Sequence, residues 1–229
     1  MTVKKTGSYF GNKGILNPTA NGQLLVSNTS SPEQASWLST GSPVLLAETS
    51  STSGTTNSFS GMTNPQMIDG TTSITFSSIP QSFKDLKLTF SQMAHNTNNS
   101  TGYRITIAVN GDTTTNRYYS RSGFQATSGA QWNSDNTERW YYGYVYRPEN
   151  VTWVGNGEIT IPLYSQTMPY NTRGAYGSWF HMTQMTMPAM YGFQYYNSSS
   201  AALPITSLVI RMESDPGFRA HSRIALLGL

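Results

Sequence analysis

Acidic pairs are the first residues in this chain that could do chemistry. Glu213 and Asp215 stand two apart at the end of an alternating run, so a strand would turn both toward one side. Asp135 and Glu138 share a long polar stretch. Two facing carboxylates a few ångströms apart are all that glycoside hydrolysis requires, one as acid and one as base or nucleophile. All four acids fall among turn residues, however, where solvated carboxylates are ordinary, and enzymatic activity is not expected. His95, His181 and His221 are spaced too widely for an HxH or HExxH ligand pair and read as loop or surface residues. The chain has no cysteine, no GxSxG elbow and no phosphate-cradling glycine loop. Asp112, following Asn110-Gly111, reads as a turn former before a calcium ligand. No catalytic residue, cofactor or metal site is expected.

Aromatic side chains are the stronger signal. Trp140, Tyr142 and Tyr144 alternate and read as core. Tyr191, Phe193, Tyr195 and Tyr196 crowd a run between polar residues that reads as an exposed loop. Such rings can stack on sugars or anchor a protein interface, and an inter-subunit contact is the favoured reading of the two.

These residues must be positioned by strands. Only 11% of the 229 residues are charged, 12% are aromatic, and Ser, Thr, Asn and Gly are plentiful. That composition suits short strands and many turns. Leu86, Leu88 and Phe90 alternate with Lys87 and Thr89, and Ile105, Ile107 and Val109 alternate with Thr106 and Ala108. The cheapest reading pairs these two runs antiparallel, as the hairpin on which the body is built. A Gly/Ser/Asn loop is expected from 122 to 136, and Pro162 marks an edge strand or a bulge. Further alternation at 140–146, 159–163, 177–187 and 208–212 brings the total to seven or eight strands, enough for an all-β antiparallel sandwich with jelly-roll topology.

Residues 1–64 read differently, as an extended N-terminal arm and a Ser/Thr-rich linker before a body at 65–229. Ile15, Leu16, Leu24, Leu25, Val26, Trp37 and Leu38 form short apolar patches, each too small for a core of its own, that dock one by one on a neighbouring surface. Lys4 and Lys5 are followed by no apolar segment of signal-peptide type, and no run is long enough to cross a bilayer. The net charge is +3 and the isoelectric point near 9.1, but with so few charges neither a nucleic acid nor a membrane is the expected partner.

The ordered series ITFSSIPQSFKDLKL, RITIAVNGDTTTNRYY, NGEITIPLY, ITSLVIRM and FRAHSRIALLGL resembles a family of tailed-bacteriophage virion proteins. Residues 17–37, NPTANGQLLVSNTSSPEQASW, resemble the leader that precedes such bodies. The chain departs from the pattern at Leu227, where many relatives have tyrosine. The resemblance implies a non-enzymatic structural protein with a β-sandwich body, assembled in the host cytoplasm and resident in the virion. On that basis the expected role is a capsid decoration or cement protein. It would form a homotrimer and be anchored by its arm to the major capsid protein or other virion proteins. The alternative is a tail-associated or head-fibre receptor-binding protein that contacts host surface polysaccharide.

Overall fold

The computed structural model describes residues 23–27, 35–39, 43–49, 62, 64–97, 102–126, 129–145, 154–181, 189–196 and 199–229. They belong to two compact units, Met1–Pro43 and Val44–Leu229. In the first, β1 (Gln23–Ser27) pairs antiparallel with β2 (Ala35–Ser39), setting Leu24 opposite Leu38 and Leu25 opposite Trp37. Two of the patches expected to dock separately are therefore joined through their backbones. Ile15 and Leu16 lie outside the described residues, as does the linker from residue 50 to 61.

The second unit holds β3 (Val44–Glu48), β4 (Ser73–Phe76), β5 (Leu86–Met93), β6 (Tyr103–Val109), β7 (Tyr118–Ala126), β8 (Gly129–Thr137) and β9 (Trp140–Val145). It continues with β10 (Gly155–Ile161), β11 (Thr172–His181), β12 (Ala189–Tyr196), the short helix α1 (Ser199–Ala202), β13 (Leu208–Met212) and β14 (Arg223–Gly228). Two antiparallel sheets pack as a sandwich, one in the order β3-β14-β5-β10-β11-β12-β7-β8 and the other in the order β4-β13-β6-β9. The unit begins at β3, so its first strand falls inside the stretch that the sequence assigns to the arm. Val44–Glu48 is a body strand because its backbone pairs with β14 and buries Leu46 and Ala47.

Nested pairing gives the topology. β3 pairs with β14, β4 with β13, β5 with β10 and β6 with β9, as when one long ribbon of strands rolls around a core. This is the jelly roll. It overturns the expected hairpin: β5 and β6 lie in opposite sheets, and each finds its partners far along the chain. Both runs are strands, but in a rolled ribbon consecutive strands face each other across the core instead of pairing. Two inserts enlarge the first sheet, β7-β8 after β6 and β11-β12 after β10, with β12 pairing β7. The stretch 122–136 is thus mostly paired strand, not loop. Pro162 stands just past the end of β10, which is paired on both sides, so it ends a central strand.

Alternation fills the core from both sheets. Leu86, Leu88, Phe90, Ile159, Ile161, Ile224 and Leu226 face Ile74, Phe76, Ile105, Ile107, Val109, Leu208 and Ile210, all buried. Where the alternation slips, a bulge corrects it. Gln92, at φ 52°, is an extra residue opposite Asn156 and returns Met93 to the interior. In β9, Gly143 at φ 48° does the same, so that Tyr142 and Val145 point inward while Tyr144 points out.

Side chains on the loops lock the roll. Gln81 Nε2 donates to Ile79 O (2.7 Å) and Ile205 O (2.9 Å). Asn110, at φ 52°, accepts at Oδ1 from the amides of Thr206 (2.8 Å) and Ser207 (3.2 Å) and donates from Nδ2 to Pro204 O (3.0 Å). Asp85 Oδ1 accepts from Leu163 N–H at 2.8 Å. Asparagine suits such a joint because it tolerates left-handed backbone and satisfies three loop groups at once. Asn110→Ala loses both advantages and is expected to destabilise the unit by about 2–4 kcal/mol, from unpaired loop groups and left-handed strain. Chemical denaturation of the two proteins side by side checks this.

Candidate functional site

The run 189–196 is not an exposed loop. It is β12, paired on one side with β11 and on the other with β7, and alternation sends Phe193 and Tyr195 inside. These two are core residues, a correction to the inter-subunit reading, because rings buried within one chain cannot contact a second copy. Tyr191 is half-buried against the same core, and Tyr196 is partly exposed. Of the three aromatics assigned to the core of β9, Trp140 and Tyr142 are fully buried, whereas the Gly143 bulge exposes Tyr144.

The buried rings form a continuous layer between the sheets. Tyr118 stacks on Tyr195 with centroids 4.6 Å apart, and Trp140 meets Tyr118 edge-on at 6.0 Å. Tyr142 touches Phe90, Trp179 and Tyr191, each with centroids 5.1 Å away. The polar tips of Tyr118, Tyr142, Tyr195, Trp140 and Trp179 each find a carbonyl or carboxylate. Tyr142 Oη reaches Ser178 O (2.5 Å) and Glu158 O (3.1 Å); Trp179 Nε1 donates to Tyr144 O (3.1 Å) and Trp140 Nε1 to Gln194 O (3.0 Å). Tyr195 Oη donates to Asp112 Oδ2 at 2.6 Å, and Tyr118 Oη to Asp112 O at 2.8 Å. Glycine makes the space. A Cβ on Gly155 would lie 2.0 Å from the Trp179 ring, one on Gly143 2.3 Å from it, and one on Gly157 2.2 Å from Tyr142 Oη.

Three of the four candidate acids are each engaged by an arginine. Glu213 receives the Arg104 guanidinium through two hydrogen bonds of 3.0 Å, while Asp215 takes Arg211 at 2.9 Å. Arg104 also lies 3.9 Å from the Tyr141 ring centroid, a cation–π contact on the outer face of the smaller sheet. Glu138 pairs with its neighbour Arg139, and the side chain of Asp135 lies outside the described residues. Asp112 caps its turn, accepting from Thr114 N–H at 2.9 Å. Partial burial pushes its pKa up, but the hydrogen bonds from Tyr195 and Thr114, with the Arg117 charge, outweigh this and hold the carboxyl below its usual range. His95 is not a surface residue: it is buried, edge-on to Tyr103, with Nδ1 2.9 Å from Thr97 Oγ1. His221 is exposed, and the side chain of His181 is outside the described set. Among the described residues no cluster of three or more metal-ligating side chains occurs.

What remains on the surface is a group the sequence reading passed over. Tyr176, Phe180 and Met190 stand on the outer face of the larger sheet, 57%, 46% and 54% exposed. Tyr176 was discoverable only from its setting, a lone ring between Gly174 and Gly177 in a polar run. Set against protein-family models, curated proteins and solved structures, the chain matches none. The surface therefore has to be read from its own chemistry.

Burial of the aromatic layer has a consequence at high pH. Burial, ahead of neighbouring charges, raises the hydroxyl pKa of both Tyr118 and Tyr142. The unfolded chain ionises these phenols near the ordinary value of about 10, while the folded chain keeps them neutral. Their stabilisation is complete below pH 10 and lost as pH rises beyond it. Denaturation across that range is expected to show a steep loss of stability in the native chain and a shallower one in Tyr118→Phe and Tyr142→Phe. Each substitution is also expected to cost about 1–2 kcal/mol at neutral pH through lost hydrogen bonds.

Proposed function

We propose that this protein is a non-enzymatic structural component of a phage particle, a capsid decoration or cement protein with the jelly-roll body as its oligomerising domain. One observation carries the reading. The sequence blocks that resemble virion proteins are far apart in the chain, yet they meet as the joints of a single body. SSIPQ meets ITSLVI where Gln81 bonds Ile205 O, and the Asn-Gly-Asp turn meets it again through Asn110. NGEITIPLY is tied to the first block by the Leu163–Asp85 bond, and the C-terminal block closes on it where Gly228 leaves room for the Phe83 ring. Blocks bonded to one another in this way act as parts of one scaffold, which supports reading the resemblance as one of architecture.

On this reading the arm anchors the protein to major capsid subunits and the body packs as a homotrimer, burying apolar area across joints in the shell. Copy number tests it: quantitative gel analysis of particles encoded with this chain is expected to give hundreds of copies each, as repetition over a symmetric shell requires. A handful of copies would favour the tail-adhesin alternative, and absence from particles would sink both. A deletion series tests the arm. Removing residues 1–43 is expected to leave a folded body that no longer co-sediments with shells. Removing 1–48 also strips β3, takes the buried Leu46 and Ala47 out of the core, leaves one edge of β14 unpaired, and costs about 2 kcal/mol or more. Undiminished binding after the shorter deletion would eliminate the anchoring role.

A further inference from the structure

Glycines within strands weaken a sheet unless something requires the missing side chain. For Gly143, Gly155, Gly157 and Gly177 the requirement is internal, since a Cβ on any of them would collide with Trp179, Tyr142 or backbone. Gly174 and Gly192 are different. Both are exposed on the outer face of the larger sheet, in strands paired on both sides. A Cβ on Gly192 would meet nothing within 4 Å, and one on Gly174 only Phe193 O at 3.7 Å. Among the described residues no side chain comes within 4 Å of either Cβ position, so packing among them does not account for these glycines.

The register shows what surrounds the gap. Gly192 lies opposite Tyr176 on one side and Arg121 on the other, with Met190 and Gln194 two residues away along its own strand. Gly174 lies opposite Gln194 and two residues before Tyr176. Tyr176 is thus flanked by bare backbone in two directions, and Gln194 and Arg121 border the same floor. The depression measures about 10 Å across the strands and 13 Å along them, from strand spacing and rise.

We propose that this depression binds a pyranose segment of a polysaccharide. The C–H face of a sugar ring is apolar and stacks on an exposed aromatic ring, while its equatorial hydroxyls need donors and acceptors around the edge. Tyr176 supplies the first, and Gln194, Arg121 and Thr160 stand where they supply the second. The bare glycine floor lets the ring approach the sheet. A second copy of this chain fits less well: Tyr176, Phe180 and Met190 are each about half exposed and offer roughly 300 Å² together, against the ~800 Å² per partner of a stable protein interface.

The site is independent of where the protein sits on a particle, and its test is separate from copy number. The full-length chain is applied to an array of immobilised gluco-, galacto-, manno- and N-acetylhexosamine oligosaccharides, beside Tyr176→Ala and Gly192→Val. The native chain is expected to bind at least one class of sugar, and each variant to bind it about tenfold more weakly, the weight of one stacking contact with its rim. Gly192→Val fills the floor with a good strand former, so its Tm is expected to equal or exceed the native value, which separates loss of the site from loss of the fold. Binding to no sugar on the array, or equal binding by both variants, would overturn the proposal. So would a concentration-dependent dimer in sedimentation that Gly192→Val abolishes, since the face would then belong to a second copy.

Discussion

The closure of the sandwich depends on Tyr142. Its ring is surrounded by Phe90, Trp179, Tyr191 and Phe193, and its hydroxyl reaches across to carbonyls of β10 and β11. A phenol in so apolar a place is tolerable only because it is hydrogen-bonded; unpaired, it would cost about 1–3 kcal/mol. The arrangement also demands absences. Trp179 can lie beside Tyr142 only because residues 143, 155 and 157 carry no side chain, so two large rings and three glycines act as one packing unit. Gly143 serves twice, since the bulge it forms also sets which residues of β9 face inward.

A second constraint is Arg173, buried at the start of β11 with no carboxylate among its described hydrogen-bond partners. Its guanidinium donates to Leu163 O (2.7 Å), Gln166 O (2.7 Å) and Leu203 O (3.0 Å). Burial lowers its pKa, but arginine starts so high that it stays charged. Three carbonyl dipoles take the place of a counter-ion. They tie the turn after β10 to the segment after α1, which fixes the root of the β11-β12 insert against the eight-strand roll.

Much of the fold was legible in the sequence because burial imposes a period of two. Leu86 to Phe90 and Leu208 to Met212 read as half-buried strands, and they are; Ile105 to Val109 is also a strand, but it is buried on both faces, with Thr106 and Ala108 inside as well. Pairing was not legible. Leu88 finds its partners at Ile159 and Leu226, and nothing local in the sequence distinguishes these from the nearer strand at 103–109. The aromatic run 190–196 misled because its flanks are polar. A strand covered on one face and solvated on the other carries Gln194 and Gly192 beside Phe193 and Tyr195, which resembles a loop until the register is known. His95 was missed for a related reason: an imidazole with a hydroxyl partner can be buried, and only tertiary contacts disclose it. The exposed ring at Tyr176 has the weakest sequence signal of all, since a single tyrosine among glycines has no period.

The last strand completes the larger sheet from within. β14 lies between β3 and β5, so the strand nearest the start of the second unit is held in that sheet only through the strand nearest its end. During synthesis the early strands would leave the ribosome with core edges unpaired, and the roll could not close until Gly228 emerged. A chain ending before Arg223 would present Leu88 and Phe90 beside an open strand edge, ready to pair with the wrong neighbour.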